Sequence, residues 1–472
     1  MKKKELLAQY YPKLLLNFIL VGSVILSFTP YWLDPITLYD NKRFFVILYL
    51  LMTAIVVIFS HNIRQKIIES LSNLSFVSKT LISFAIVNAL LANLQSLYWV
   101  KSQAVFTYLL LFILIITIIR PVAIENKVFI LRLYIWLTCA MFLSVVLYHW
   151  IATSNGAVPN YRDIFSFVNP RFINYIQIWI ILPLIYLAWQ NKTKTKGWIY
   201  AIPVVMHFSL LYALDSRGAF IAAFSGIALW ILLSKEKLSR FKFIIYILLF
   251  SVLIKWLIFT PFPQYLLHGV WPEGKGVLRL GDSGRLNLWS NAIAMISIWG
   301  HGGDTFVCNN DVVSHSPHNS VLLTAVEWGV VTALCYISLV FILLYRTFIT
   351  ASEELRVLGI TLLSGFAYSL ISGVLNLPLS QGLVAITIAS FWAMTNEINQ
   401  KSIVKAQNYY FLKVAHFLLI STALWGLIFI GYKTYLRIDN QQYRHIRLNV
   451  YMPQFWLEQN CMDDKPKLNL PK

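Results

Sequence analysis

The chain predicts an all-α polytopic membrane protein of about 12–13 transmembrane helices, with one large extracytoplasmic loop that carries an interfacial helix. Three observations predict it. Of the 472 residues, 58% are hydrophobic and only 12% charged, where a soluble chain would carry about a quarter charged residues. Mean hydropathy is +0.65. Long apolar runs recur along nearly the whole length, and a helix needs roughly 20 such residues to cross the hydrocarbon. Membrane β-barrels use short alternating segments instead. Runs such as 106–119 are continuously apolar, so helices are expected.

The elements follow in order. The start, MKKK and then an apolar run from Leu14 to Phe28, imitates a signal peptide. Thr29, Pro30, Tyr31 and Trp32 follow it rather than a small-x-small cleavage site, so it reads as an uncleaved first span. Thirteen candidate spans lie near 13–29, 44–60, 80–98, 103–119, 128–151, 172–189, 198–214, 218–233, 241–260, 320–345, 355–376, 381–395 and 411–431. The organisation is then an N-terminal bundle over 1–260, an outer loop over 261–319, C-terminal helices over 320–431 and a polar tail over 432–472.

Orientation comes from the basic residues. The net charge of +19 could suggest nucleic acid, but most Lys and Arg sit in short loops between apolar runs, which is a topology signal. With the N-terminus inside, inner segments hold about twice as many Lys and Arg as the outer loops before the tail. Lys42 and Arg43 fall among the outer set, and Lys255 is the main charge inside a span. The segment 261–317 lies outside on this topology. Long loops in compact folds are usually functional. Within it, Arg285–Trp299 places Leu286, Trp289, Ile293 and Ile296 at helical spacing, which suits a helix lying along the outer interface. Cys139 and Cys335 fall inside spans. Cys308 and Cys461 fall outside them, and would pair only if both face an oxidising compartment.

Three polar groups could carry chemistry. His318 and Asn319 stand immediately before the long span at 320–345; on a helix Glu327 would lie on the opposite side. Arg217 sits in Asp215–Ser216–Arg217–Gly218, a connection too short to be a solvated loop, and an Arg held near hydrocarbon is usually paired or functional. Arg285 opens the interfacial helix, where free N–H groups and a guanidinium suit a phosphate-type anion. Plainer readings stand beside these: an interfacial His with Asn319 as a cap, an Asp215–Arg217 surface turn, and a snorkelling Arg285. Together the three fit an outer pocket for a phosphorylated group with one titratable base. A lipid diphosphate leaves without needing a proton, whereas a hydroxyl attacking a sugar must lose one. The set therefore suits glycosyl transfer from a polyprenyl diphosphate. His301, Asp304, Asp311, His315 and His318 lack the tight spacing of a metal site, so no metal and no other cofactor is expected.

These residues resemble the O-antigen ligase superfamily, which also includes O-antigen polymerases and protein O-oligosaccharyltransferases. The pattern of His, Asn/Ser/Gln, nine residues, Gly, two residues and Thr-Thr is met at His318, Asn319, Gly329 and Thr332, with Ala333 in place of the second Thr. SRGAF at Ser216–Phe220, including Gly218, is similar to the family's Ser-Arg-Gly turn. GRLNLW at Gly284–Trp289 is similar to its Arg-x-x-x-Trp helix start, which makes Trp289 a motif residue. GHGGDTF at Gly300–Phe306 and NPRFINYIQIWIILPL at Asn169–Leu184 also match, so the resemblance runs from about residue 165 to 395.

The resemblance implies a metal-independent, inverting glycosyltransferase of the GT-C type in the bacterial inner membrane, its active site facing the periplasm. The donor would be an undecaprenyl-diphosphate-linked glycan and the acceptor, for a ligase, a sugar hydroxyl of lipid A–core. Membrane lipids are partners and nucleic acid is not. His318 would activate the hydroxyl. Arg217 and Arg285 would hold the diphosphate, with Arg171 a further candidate. The tail of about forty residues argues against the larger outer domain that a protein oligosaccharyltransferase often carries; a polymerase is the nearer alternative. A transporter or flippase would place charges at the bilayer midplane, whereas these polar groups gather at one face.

Overall fold

The computed structural model describes residues 2–28, 40–157, 159, 167, 169–271, 284–309, 316–397, 409–439, 444–445 and 450–451. The chain is a helical bundle. In order its helices are α1 (Lys2–Phe28), α2 (Asp40–Phe59), α3 (His61–Ser72), α4 (Phe76–Leu94), α5 (Trp99–Ala123), α6 (Lys127–Ser154), α7 (Pro170–Asn191), α8 (Ile202–Leu214), α9 (Arg217–Leu232) and α10 (Lys237–Ile258). There follow three short ones, α11 (Phe262–His268), α12 (Arg285–Ala294) and α13 (Thr305–Asn309), and then α14 (Ser320–Ile349), α15 (Glu353–Ser369), α16 (Pro378–Glu397) and α17 (Tyr409–Asp439). The strands among the described residues are two-residue pieces, Arg444–His445 paired with Val450–Tyr451.

Each of the thirteen expected spans falls on one of these helices. Among the described residues, ten helices are long and apolar enough to cross a membrane, and Arg217–Leu232 is a shorter apolar one. At 1.5 Å per residue a 16-residue helix covers about 24 Å, less than the roughly 30 Å hydrocarbon core. The helix starts are where capping chemistry puts them. Ser60, Ser75, Asn169 and Ser352 each accept a first-turn N–H, and Pro170 follows Asn169 at a position where its missing N–H costs nothing. Helix α7 carries apolar side chains around its circumference, with Asn174 and Gln177 as buried polar exceptions, and is accordingly the most enclosed of the described spans, with Trp179 and Ile180 fully buried.

Contacts sort to the two ends of the bundle as alternating spans require. At one end, Lys127 pairs with Glu354 at 3.1 Å, Lys192 with Glu236 at 3.6 Å, and Arg240 with Glu353. There too Arg64 donates to the carbonyls of Val57 and Ile58, both at 2.7 Å, closing the end of α2. At the other end, Trp150 donates to the Ile258 carbonyl at 3.0 Å, His268 meets the Thr153 carbonyl at 2.6 Å, and Tyr98 donates to Asn309 at 2.9 Å. The basic N-terminal segment belongs to the first end and the loops around α11–α13 to the second.

Four details depart from the sequence-based expectations. Lys42 and Arg43 are not loop residues: they lie in the first turn of α2, almost fully buried, with the Lys42 ammonium 4.2 Å from the centre of the Phe167 ring. Lys255 is not deep in its span, but one turn from the end of α10, where it donates to the Thr260 carbonyl at 2.8 Å. The interfacial helix stops at Ala294 rather than Trp299, because the chain beyond it is drawn onto α14. Finally, α17 continues past residue 431 to Asp439, and Lys433 is part of the bundle rather than of a polar tail.

Candidate active site

The site is built around α14. This helix is interrupted at Gly329, where φ is +84° and ψ 164°. Such a break frees backbone groups that must find other partners. The preceding loop supplies them: His301 N donates to the Val326 carbonyl at 3.1 Å, Gly302 N to the Glu327 carbonyl at 2.7 Å, and Val330 N to the Ser297 carbonyl at 3.1 Å. Thr332 donates to the Trp328 carbonyl at 2.7 Å, and Asn88 donates to the same carbonyl and, at 3.1 Å, to the Thr332 hydroxyl. The glycine is required. A Cβ there would stand 2.4 Å from the Ile298 carbonyl oxygen, and the backbone angle is one that L side chains rarely adopt. Gly329 and Thr332, picked out as motif residues, thus build the break rather than the pocket.

Above the break, the start of α14 presents His318. The Asn319 side chain accepts from Val321 N and Leu322 N, both at 3.0 Å, which is the cap expected of it. His318 itself has φ +51°, so the chain turns sharply just before the helix. Two groups fix that turn: Ser316 Oγ accepts from His318 N at 3.1 Å, and Trp289 Nε1 donates to the Pro317 carbonyl at 2.9 Å. Helix α12 is therefore tied to the residue preceding His318. It seats Leu288 and Ala292 against Phe306 and Val326, and leaves Leu286 and Ile293 exposed on its outer side.

Charge gathers at the same place. His318 is half-buried, and burial, then the nearby Arg285 and Arg171 guanidiniums, push its pKa down to about 4. Its Nδ1 edge faces Gly373, where a Cβ would lie 3.8 Å away. On the far wall Tyr175 and Tyr368 meet edge to face with centroids 5.4 Å apart, and the Tyr368 hydroxyl lies 3.4 Å from Ser216 Oγ. Gly218 lets α9 approach that wall, since a Cβ there would be 2.9 Å from the Tyr368 ring. Beside His318, Ser316, Asn319, Ser320, Ser369, Ser372 and Gly373 contribute to a serine-rich cavity of about 10 Å³, room for about one water molecule.

The structure thus brings His318, Arg285 and Arg171 together, with Ser216, Gly218, Trp289 and Asn319 around them. Arg217 opens α9 directly after Ser216, at the same end of the bundle, with its side chain exposed. Arg171, a secondary candidate by sequence, is one of the two guanidiniums whose charge acts on His318. Tyr175, Tyr368, Ser372 and Gly373 were missed. The available signal was hydroxyl groups inside otherwise apolar spans, each of which needs a polar partner.

A second polar cluster lies behind the break. Lys433 donates to Asp304 at 2.9 Å, with side chains 5% and 1% exposed. Glu327 is 2% exposed beside them. Burial raises the pKa of Asp304, while Lys433 opposes the rise. Among the described residues, no three His, Cys, Asp or Glu side chains cluster; Asp311 and His315 lie outside the described residues. Cys139 and Cys335 are free, and Cys308 is disulfide-bonded. Cys461 lies outside the described residues.

Fold and site together define an all-α polytopic membrane protein with a polar, titratable centre at one end of its bundle. Residues 202–337 match the family model described as O-antigen ligase; the chain carries a domain of the O-antigen ligase superfamily. That match takes in Ser216, Arg217, Arg285, Trp289, His318, Gly329 and Thr332, whereas Arg171, Tyr175 and Tyr368 lie outside it. No curated protein and no solved structure gave a significant match to the chain.

Proposed function

We propose that the chain is an O-antigen ligase, transferring a glycan from undecaprenyl diphosphate to a sugar hydroxyl of lipid A–core on the periplasmic face of the bacterial inner membrane. One observation carries the reading: His318 is held neutral beside the two guanidiniums of Arg285 and Arg171. A neutral imidazole can take a proton, and paired guanidiniums can take a diphosphate. In the step proposed, the acceptor hydroxyl gives its proton to His318 and its oxygen bonds the anomeric carbon of the donor. The bond from that carbon to the diphosphate breaks, and the electron pair leaves with the diphosphate, whose charge Arg285, Arg171 and Arg217 balance. Attack opposite the leaving group inverts the anomeric centre. These residues perform the step without a metal ion or other cofactor.

The test uses purified protein with lipid-linked glycan and lipid A–core, in the presence of a chelator. Conjugate should form, and His318→Ala should stop it. Conjugation that requires a divalent cation, or that survives the substitution, removes the mechanism. Replacing the acceptor by a pilin, or by a second lipid-linked glycan, separates a ligase from a protein oligosaccharyltransferase and from a polymerase.

A further inference from the structure

Towards the end of the bundle opposite His318, helices α3, α4, α5, α14, α15 and α16 line a second, partly open cavity of about 580 Å³. That lies within the range of roughly 300–1,000 Å³ typical of ligand sites. Its walls are apolar, with Phe112, Ile116, Leu339, Leu343 and Phe391 among them. Tyr336, towards the middle of the bundle, turns its hydroxyl to Ser320 at 3.2 Å. The remaining polar lining residues, Ser75, Ser78, Arg346 and Thr395, collect at the mouth.

Arg346 stands in the last turn of α14, at the end of the bundle where the basic inner loops lie. A guanidinium beside apolar walls at the hydrocarbon boundary calls for an anion. No carboxylate is among the described residues that line the cavity, and at this end of the bundle Glu353 pairs with Arg240, Glu354 with Lys127 and Glu236 with Lys192. Among the described residues none forms an ion pair with Arg346. A second guanidinium borders one lining side chain. Arg120 rests 4.8 Å from the centre of the Trp392 ring, itself a lining residue, and donates to the Ser70 carbonyl at 3.1 Å.

We propose that this cavity binds a diacyl anionic phospholipid of the inner leaflet, with its phosphate at Arg346 and Arg120 and its acyl chains between α5, α14 and α16. A guanidinium such as that of Arg346 suits a phosphate bidentately. Among the described residues the polar lining at the mouth is Ser75, Ser78, Arg346 and Thr395, basic and without a carboxylate, so its charge favours an anionic headgroup over a zwitterionic one. Basic recesses between spans on the cytoplasmic side are a recognised setting for acidic headgroups. The lipid would brace α4, one of the least enclosed spans, against the lower part of α14. The site shares no residue with the His318 pocket, and its occupant is not the glycan donor.

The experiment is native mass spectrometry of the full chain in mild detergent. Phosphatidylglycerol, phosphatidylethanolamine and undecaprenyl phosphate are added in turn to wild type, Arg346→Gln, Val340→Trp and His318→Ala. Wild type and His318→Ala should retain phosphatidylglycerol in preference to the other two. Arg346→Gln should weaken that retention about tenfold, a single charged contact's worth, and Val340→Trp should abolish it by filling the cavity with the guanidinium intact. A thermal melt gives a second readout: phosphatidylglycerol should raise the melting temperature of wild type and not of Val340→Trp. Equal retention of all three lipids, preference for undecaprenyl phosphate, or retention unchanged by both substitutions overturns the proposal. Glycan transfer does not enter any of these readouts.

Discussion

Lys433 and Asp304 form an ion pair of 2.9 Å between the last span and the glycine-rich loop. Both side chains are almost wholly withdrawn from solvent. The pair joins α17 to the loop that supplies the hydrogen bonds at the break in α14, and so reaches the geometry of His318 through backbone rather than through direct contact.

Removing one partner of such a pair leaves a buried charge and costs about 3–5 kcal/mol, while replacing both by apolar groups is often close to neutral. Lys433→Met alone should therefore lower the thermal stability of the detergent-solubilised protein sharply. The double change with Asp304→Leu should recover much of the loss. Additive destabilisation in the double variant would show that the two residues act separately.

The His318 pKa sets the acid limit of the proposed reaction. Burial and the Arg285 and Arg171 charges hold it at about 4, so the free enzyme keeps its base unprotonated down to that pH. The acid limb of kcat/KM should fall near pH 4, and that of kcat higher, because the bound diphosphate offsets the two guanidiniums. For stability the sign is the opposite of a salt-bridged histidine. Between about pH 6.5 and pH 4 the unfolded chain takes up a proton that the folded site refuses, so acidification through this window disfavours folding. An acid limb of kcat/KM near 6.5 would contradict the geometry.

Arg285 and Arg171 should each contribute to donor binding. Substituting either by Gln removes a charge-assisted contact worth about 1.5–3 kcal/mol, so kcat/KM for the lipid-linked donor should drop roughly 10- to 100-fold. The acid limb of kcat/KM should also move up, since one of the charges depressing His318 is gone. That shift, read from the pH profile, separates their proposed role from a merely structural one.

Gly329→Ala should damage both folding and transfer. Strain at such a backbone angle costs about 1–3 kcal/mol, and the added Cβ meets the Ile298 carbonyl besides. Ala333→Thr, one turn further on, should be tolerated far better. Comparing melting temperatures of the two variants distinguishes a requirement at the break from general sensitivity of the helix.

Much of the architecture was readable because the hydrocarbon imposes one period and one length on every span. All thirteen segments proposed from hydropathy fall on helices, and Asn319 is the cap that its position promised. Motif spacing marked His318, Ser216, Arg285 and Trp289, and these converge. What stayed hidden was long-range: that Trp289 reaches the Pro317 carbonyl, and that Tyr368 and Gly373 line the pocket, whereas Arg171 was marked through the family resemblance alone. Such contacts join positions far apart in the chain, and no local pattern encodes them. The interruption at Gly329 was hidden for another reason. Hydropathy stays high across it, and the hydrogen bonds with Ser297–Gly302, Asn88 and Thr332 make an unwound turn tolerable within the span.

That interruption divides α14 into two lengths whose relative rotation is set by side-chain contacts across the break, such as Tyr336 on Ser320 and Thr332 on the Trp328 carbonyl, rather than by continuous helix. A residue inserted below it, beyond Tyr336, would turn the lower cylinder by about 100° while leaving the imidazole at the other end where the loop holds it. The same insertion between Asn319 and Trp328 would swing His318 away from both arginines. The register of the nine-residue cap is therefore set by the loop, while the shaft is keyed to that cap by the Tyr336 hydroxyl on Ser320, so an insertion beyond Tyr336 is the one the site should tolerate.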